Sequence, residues 1–152
     1  MKSLIVVHSY HHNNTLKVAK VIADILEADL KTAVNAKSDE LKGYDFVGFG
    51  AGIDSGMHYK QLLDFVNTIA VNNHRKKCFI FSTSAVQGED KVNNDHSKLR
   101  EILRTKRYKV EGEFSCKGFN TNSFLKYIGG MNKSHPDDAD MNDARQFAAK
   151  LL

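Results

Sequence analysis

Apolar runs alternate with helix-period segments along the whole chain. The first run, Leu4–Val7, is continuous, which is typical of a strand buried on both faces of a parallel sheet. Four later runs are also predicted as strands, the first of them weak and the last more peripheral: Leu30–Val34, Phe46–Phe49, Cys78–Phe81 and Tyr108–Ser115. The pattern therefore predicts five strands.

Amphipathic helices are predicted between and after these strands, because apolar residues recur at spacings of three and four. The predicted inner faces are Val18, Val21, Ile22 and Ile25; Leu62, Phe65, Val66 and Ile69; Leu99, Ile102 and Leu103; and Ala144, Phe147, Ala148 and Leu151. Ser38–Lys42 is expected to hold one helical turn. Pro136 is expected to be the first residue of the last helix, with Asp137 and Asp138 at its positive end.

Strands that alternate with helices predict an α/β fold, with a parallel sheet covered on both faces. Ligands of such sheets bind beyond the carboxyl ends of the strands. Four predicted loops begin there, at His8, Gly50, Ser82 and Cys116. Three of these loops are distinctive: a glycine-rich loop Gly50–Gly56, a long polar loop Ser82–Asp95, and a second long loop Cys116–His135. We therefore expect function at this edge.

The length of 152 residues fits one domain, residues 1–152. Hydrophobic residues at 41% and charged residues at 26% are close to globular averages, which excludes a disordered or fibrous protein. Leu4–Val7 is too short for a signal-peptide core, and no run approaches the roughly 20 apolar residues of a membrane span. We expect a soluble, cytoplasmic protein.

The net charge is +4, and basic residues cluster at Arg75–Lys77 and Arg100–Lys109. Such clusters are either solvated surfaces or a docking patch for an acidic partner, and nucleic acid is not expected. Cys78 and Cys116 lie too far apart along neighbouring predicted strands to form a disulfide. Adjacent histidines in a turn rarely point at one ion, so no metal site is expected in the first loop.

The first loop, His8–Thr15, is rich in hydroxyl and amide groups and lacks any Lys, Arg, Asp or Glu. Backbone N–H groups at the start of the following helix suit a phosphate dianion, which a carboxylate would repel. The same residues also fit a plain capped turn, in which Asn14 or Thr15 satisfies the first amides of the helix. Spacing alone leaves both interpretations open.

Other ligand motifs do not fit. The third glycine of a dinucleotide fingerprint starting at Gly48 would fall on Ile53, and no nucleoside-triphosphate loop is present. Receiver domains share this architecture by resemblance but need acids after the first strand, where the earliest acid is Asp24.

The chain resembles the flavodoxins over essentially its whole length. The resemblance rests on four segments: Val6-Val7 leading into His8–Thr15, Phe46–Gly50 before a glycine loop, Phe79–Ser84, and Phe114–Phe119 with Gly129-Gly130 and His135-Pro136 further on. It implies a flavodoxin-like three-layer sandwich, with five parallel strands in the order 2-1-3-4-5. It also implies a non-covalent FMN.

By this resemblance, the first loop holds the FMN phosphate, residues 50–59 line one edge of the isoalloxazine ring, and residues 82–87 lie near its pyrimidine side. The implied cofactor-binding residues are Ser9, Tyr10, His11, His12, Asn13, Asn14, Thr15, Gly52, Asp54, Ser55, Gly56, Met57, Ser82, Thr83, Ser84, Ala85, Cys116, Gly118 and Phe119. No residue is expected to be catalytic in its own right.

Two departures from the family pattern bear on the site. Asn13 stands where the family has Gly, and Asn tolerates the positive φ that such a turn needs. The chain has no Trp, so any ring stacking must come from Tyr10, His58, Tyr59 or Phe119.

The function implied is electron transfer between redox partner proteins, a reductase and an acceptor, by a monomer or weak dimer. An FMN-dependent NAD(P)H or quinone oxidoreductase on the same fold is the alternative. It needs a second binding surface over the flavin, built by dimerisation or by the long loops, and residues 87–95 are one candidate for part of it. A flavin-free interaction domain is the third class.

Overall fold

The computed structural model describes residues 1–10, 13–118 and 134–152, and strands and helices alternate through these ranges. The predicted residues His11, His12 and Phe119 lie outside them. The elements are β1 Ser3–His8, α1 Asn14–Leu26, β2 Asp29–Thr32, a 3-10 helix Ser38–Gly43, β3 Phe46–Asp54, β4 Met57–His58, α2 Lys60–Asn67, β5 Lys76–Ser84, α3 Glu89–Thr105, β6 Tyr108–Lys117 and α4 Asp138–Leu151.

The five long strands form one parallel sheet in the order β2-β1-β3-β5-β6. Numbered among themselves, these strands have the order 2-1-3-4-5, as expected. The additional strand β4 contains two residues and pairs antiparallel with the end of β3. All four carboxyl ends from β1, β3, β5 and β6 therefore meet at one edge, because the strands are parallel.

The apolar side chains divide into two core clusters on opposite faces of the sheet. One cluster joins α2 and α3 to strand residues such as Phe49 and Ile80, and the other joins α1 and α4 to residues such as Phe79 and Phe81. Cys78 belongs to the first cluster and Cys116 to the second. The two thiols are free, and the sheet separates them.

The prediction of a glycine-rich loop over Gly50–Gly56 is wrong, because residues 50–54 continue β3, which ends at Asp54. Gly48 pairs with Phe79, and Gly50 pairs with Phe81, across β3 and β5. A Cβ at either glycine would lie 2.1 Å from the Cζ atom of its paired phenylalanine. These glycines therefore make room for aromatic rings of the neighbouring strand instead of marking a loop.

The prediction of a long polar loop over Ser82–Asp95 is also wrong. Strand β5 continues to Ser84 and α3 begins at Glu89, so residues 85–88 are the whole connection. The first half of α3 lacks an apolar stripe because it buries Asp95 and His96 instead of apolar side chains. Lys91 forms an ion pair with Asp95 at 2.5 Å, which supports that burial.

The last helix begins two residues later than the predicted Pro136. Asp137 is its N-cap and accepts a 2.9 Å hydrogen bond from the Asp140 amide, which fixes Asp138 as the first helical residue. Its predicted inner face is confirmed, since Ala144 and Ala148 are fully buried. Among the described residues, no helix combines the length and apolar character needed to cross a membrane.

Candidate functional site

One row of residues crosses the sheet just before the carboxyl ends of its strands. His8 pairs with Ala51, Ala51 with Ser82, and Ser82 with Ser115. The segments that follow this row are the start of α1, the β3–β4 hairpin, residues 85–88 and the end of β6. Parallel pairing thus brings the predicted site segments together at one edge.

The amino end of α1 is organised by Ser9 and Asn13. The Leu16 amide donates a 3.2 Å hydrogen bond to Ser9 Oγ, so the hydroxyl proton of Ser9 is not used in that bond. Asn13 has φ +55°, which confirms that asparagine adopts the positive φ predicted for this turn. The first turn of α1 contains no acidic residue.

A hydroxyl pair joins this turn to β5. Thr15 Oγ1 and Thr83 Oγ1 are 2.8 Å apart and buried. Two hydroxyls that share one hydrogen bond use only one of their two protons in it. The pair therefore retains one proton that can be donated to a third acceptor.

Gly118 joins the same turn to the end of β6. A Cβ at Gly118 would lie 2.8 Å from Nδ2 of Asn14, so the Asn14 side chain occupies the space that the glycine leaves. The Gly118 amide also donates a 3.1 Å hydrogen bond to the Ser84 carbonyl. Residues from α1, β5 and β6 are thus fixed relative to one another.

The β3–β4 hairpin contains four predicted site residues. Asp54 pairs with Met57, and the two residues between them, Ser55 and Gly56, have φ values of +53° and +78°. Positive φ at both central residues is typical of a type I′ hairpin turn, which matches the twist of the flanking strands. Gly56 is therefore a turn residue whose positive φ belongs to the hairpin itself.

Two of the predicted stacking candidates, Tyr59 and Tyr10, lie together at this edge, and Tyr59 is the more buried of the two. Its ring lies edge-on to His8 at 5.8 Å and to Tyr10 at 6.1 Å. A Cβ at Gly52 would lie 2.6 Å from Cε2 of Tyr59, so the predicted Gly52 makes room for the ring. Partial burial lowers the pKa of His8, which favours a neutral ring beside Tyr59.

The prediction that His58 could stack on a ligand is wrong. His58 is 1% exposed, and its Nε2 lies 3.0 Å from the carbonyl oxygen of Phe81. Burial, reinforced by the nearby His96, lowers the pKa of His58 to about 3. It packs against the His96 ring instead, with centroids 4.9 Å apart.

The thiol of Cys116 also faces the core. Burial, followed by the charges of Asp140, Asp137 and Asp143, raises the pKa of this thiol to about 12. A neutral, buried thiol is a poor nucleophile, so only the Cys116 backbone is available to a ligand. Its carbonyl accepts a 3.1 Å hydrogen bond from Gln87 Nε2.

Sequence reasoning missed a buried polar cluster beneath residues 85–88. His96 Nε2 lies 2.7 Å from Ser82 Oγ, and His96 Nδ1 lies 2.8 Å from Glu113 Oε1. A signal for His96 was present, because it is three residues before Leu99 and therefore on the buried face of α3. No comparable spacing to apolar residues marks Ser115, which lies in the peripheral strand β6.

Most residues of the two basic clusters lie at the other edge of the sheet. Arg75–Lys77 precede and begin β5, and of the cluster Arg100–Lys109 the residues from Arg104 onward end α3, connect it to β6 and begin β6. Arg100 is the exception, because it lies further back on α3 and pairs with Glu113. The other residues lie at the amino ends of the strands, far from the residues that follow Ser84 and Lys117. Their charge therefore does not define the candidate site.

Comparison with known proteins identifies the family. The profile described as "Flavodoxin domain" matches residues 5–121. An uncharacterized protein of Methanocaldococcus jannaschii is 41% identical over 152 residues, covering 100% of this chain and 99% of the relative. This relative carries no assigned function.

Solved structures of flavodoxins share the fold. Oxidised Flavodoxin 2 from Bacillus cereus has a TM-score of 0.72 at 18% identity, with 100% of each chain covered. A flavodoxin from the domain Archaea has a TM-score of 0.65 at 17% identity and covers 99% of this chain and 96% of its own. With a family profile that matches most of its length, this chain belongs to the flavodoxin family.

Proposed function

We propose that this protein binds FMN at the carboxyl edge of its sheet and carries electrons between redox partner proteins. Family membership supports a flavin. The observation that carries the proposal is the donor set at the start of α1. Ser9 retains one hydroxyl proton and the Thr15–Thr83 pair retains another, beside a helix amino end without acids.

This donor set fits a phosphate dianion. Hydroxyl protons and helix N–H groups stabilise negative charge without a cation, because the helix dipole adds a partial positive charge. The positive φ of Asn13 turns the chain into α1 in the way a phosphate-binding turn requires. The residues present therefore suit the phosphate group of FMN.

The rest of the edge fits a flat ring. Tyr59 stands over Gly52, and the β3–β4 hairpin projects beside it. Residues 85–88 and Gly118 follow β5 and β6 and lie on the other side of the proposed ring site. When bound, the flavin supplies the electron-transfer chemistry, and the chain binds the ring, orients it and limits the access of water.

Redox partners are proposed to approach the same edge. Electrons enter and leave through the cofactor, so a partner must come close to the carboxyl ends of the strands. The basic clusters near Arg75 and Arg107 lie at the opposite edge and are left as solvated surface.

The oxidoreductase alternative loses one of its expected contributions. That alternative used residues 87–95 as part of a second binding surface, but Glu89 already begins α3. Between β5 and α3 the structure describes a connection of residues 85–88 alone, which is too short to cover a ring and a second substrate. Electron transfer is therefore the function favoured.

The test is a flavin titration followed by a turnover assay. The purified protein should be yellow or become so with FMN, and it should bind FMN more tightly than riboflavin, which lacks the phosphate. NAD(P)H oxidation with a quinone should not exceed the rate of free FMN. A protein that shows no flavin absorbance after unbound FMN has been removed by gel filtration would be a flavin-free interaction domain, and fast turnover would favour the oxidoreductase.

A further inference from the structure

Five polar side chains form a continuous hydrogen-bonded line beneath residues 85–88. From the loop through α3 to β6, the line contains Gln87, Ser115, Ser82, His96 and Glu113. Gln87 Nε2 donates to Ser115 Oγ at 3.1 Å, and the Ser115 and Ser82 hydroxyl oxygens are 2.9 Å apart. His96 then connects Ser82 to Glu113. We call this line the Gln87–Glu113 network.

The order Ser82–His96–Glu113 has the connectivity of a nucleophile, a base and an orienting carboxylate. A nucleophile must also reach its substrate. Ser82 is 1% exposed and His96 is fully buried, so no substrate can approach either of them. The network therefore serves a structural purpose and not hydrolysis.

The Glu113 end of the network is fixed by Arg100. Arg100 donates two hydrogen bonds to Glu113, from Nε to Oε2 at 2.9 Å and from Nη2 to Oε1 at 2.8 Å. Bidentate contacts of this kind fix geometry as well as charge. Burial alone would raise the pKa of Glu113, but the hydrogen bonds from His96 and Arg100 lower it to about 2. Glu113 is thus a charged acceptor that orients His96.

Its outer end holds the loop. Gln87 Nε2 also donates to Ser84 Oγ at 2.8 Å and to the Cys116 carbonyl at 3.1 Å. Ser84 Oγ in turn donates to the Val86 carbonyl at 2.8 Å. Val86 is 51% exposed and belongs to neither core cluster, so apolar packing does not anchor the loop. Polar contacts through Gln87 provide the anchor instead.

We propose that Gln87 is a positioning residue, which the Gln87–Glu113 network holds so that residues 85–88 keep the conformation that receives the flavin ring. This inference rests on the proposed function. Gln87 links the carboxyl ends of β5 and β6 to the loop between β5 and α3. Without it, the loop loses its direct hydrogen bond to the Cys116 carbonyl and keeps the contact between Ser84 and Val86.

The test compares Gln87→Leu and Ser115→Ala with two controls on exposed helix surfaces, Gln146→Leu and Ser97→Ala. Amide hydrogen exchange of residues 85–88 is measured first in the flavin-free protein. It should be faster in Gln87→Leu, intermediate in Ser115→Ala and unchanged in both controls. Ser115→Ala has the smaller effect because Gln87 keeps its contacts with Ser84 and Cys116.

Dissociation constants for FMN and riboflavin are measured next, with the visible spectrum of the bound flavin. Gln87→Leu should weaken both ligands equally, by about tenfold, since the change affects the ring and not the phosphate. The absorption bands of bound FMN should shift relative to those of the unchanged protein. A change in stability alone would not produce that spectral difference.

Three results would overturn the inference. Exchange rates in Gln87→Leu equal to those of the unchanged protein would show that the network does not hold the loop. Faster exchange with unchanged flavin affinities would show that the loop does not position the ring, and a loss confined to FMN would place Gln87 at the phosphate. Failure of the unchanged protein to bind either flavin would instead refute the proposed function.

Discussion

The hydroxyl oxygens of Thr15 and Thr83 lie 2.8 Å apart, although 68 positions separate the two residues in the sequence. Their hydrogen bond joins the amino end of α1 to the carboxyl end of β5. Because the bond uses one of the two hydroxyl protons, the residues act as a unit toward any anion bound there. Changing either hydroxyl alters the contacts of the other.

Removing either hydroxyl should therefore weaken FMN binding specifically. We expect Thr15→Ala and Thr83→Ala each to raise the dissociation constant of FMN by about 10- to 150-fold, the loss of one hydrogen bond to a charged group. The double variant should lose less than the product of the two effects, because the residues are coupled. Titrations followed by flavin fluorescence give these values.

Riboflavin is the internal control for that experiment, since it lacks the phosphate. Its affinity should be the same in all three variants as in the unchanged protein. Thr105→Ala provides a matched variant at the opposite edge, where the hydroxyl donates to the Ile102 carbonyl. Equal losses for riboflavin and FMN would mean that Thr15 and Thr83 do not contact the phosphate.

A substitution at Tyr59 should affect FMN and riboflavin without distinguishing between them. If its ring stacks on the isoalloxazine, Tyr59→Leu should weaken FMN and riboflavin alike, by about 2- to 13-fold for one aromatic contact. Tyr44→Leu changes a tyrosine near the amino ends of the strands and should leave both affinities unchanged. Dissociation constants that stay the same in Tyr59→Leu would exclude Tyr59 as the stacking residue.

The close approach of Gly50 to Phe81 predicts a large loss of stability on adding a methyl group. Gly50→Ala should lower the free energy of unfolding by about 1–3 kcal/mol or more, since the added methyl group would overlap the ring of the fully buried Phe81. At about 2–4 °C per kcal/mol, Tm should fall measurably. Gly43→Ala is the control, because a Cβ there meets nothing within 4 Å.

A second substitution locates the cause of that loss. Phe81→Leu shortens the side chain that a Cβ at Gly50 would contact. Combined with Gly50→Ala, it should cost less than the sum of the two single changes, because the clash is removed. Additive losses in thermal unfolding would show that the contact with Phe81 is not responsible.

His58 should make stability depend on pH. Burial and the neighbouring His96 lower its pKa from 6.5 to about 3, so the native ring stays neutral where the unfolded chain is protonated. The unfolded state then binds the extra proton, and the free energy of unfolding falls as the pH decreases from 6.5 toward 3. The slope attributable to this group is at most about 1.4 kcal/mol per pH unit.

His58→Gln tests this dependence, since a glutamine amide can still donate to the Phe81 carbonyl but does not titrate. Denaturant unfolding between pH 7 and pH 4.5 should show a shallower fall than in the unchanged protein. His74→Gln, at an exposed histidine, should keep the original slope. Parallel curves for all three proteins would show that His58 is not the titrating group.

The strand order and the helix faces were predictable because they depend on periodicity, which a sequence displays directly. The role of the glycines in β3 was not predictable, because each one makes room for an aromatic ring 31 positions later in the sequence. The pairs are Gly48–Phe79 and Gly50–Phe81. Glycine next to an apolar run normally indicates a turn. The pairing of β3 with β5 is needed to see that phenylalanine rings of β5 fill the space left by the glycines.

The candidate site was predictable in part for a similar reason. Loops at the carboxyl ends of parallel strands converge in any such sheet, so Ser9, Asn13 and Thr83 could be assigned to one edge. The link from Gln87 to Glu113 could not, because each of its hydrogen bonds joins residues distant in sequence. The first half of α3 was not predicted as helix because its buried residues are polar. Asp95 and His96 are buried through ion pairing and hydrogen bonding.

The glycine–phenylalanine pairs also determine how β3 and β5 can align while the chain folds. Sliding β5 by one residue would bring Phe79 opposite Val47 or Phe49 and would place smaller side chains than phenylalanine opposite both glycines. A misaligned sheet would thus combine steric overlap with voids, and each error raises its energy above that of the native pairing. The two glycines therefore favour the native register of β3 and β5 over registers shifted by one residue.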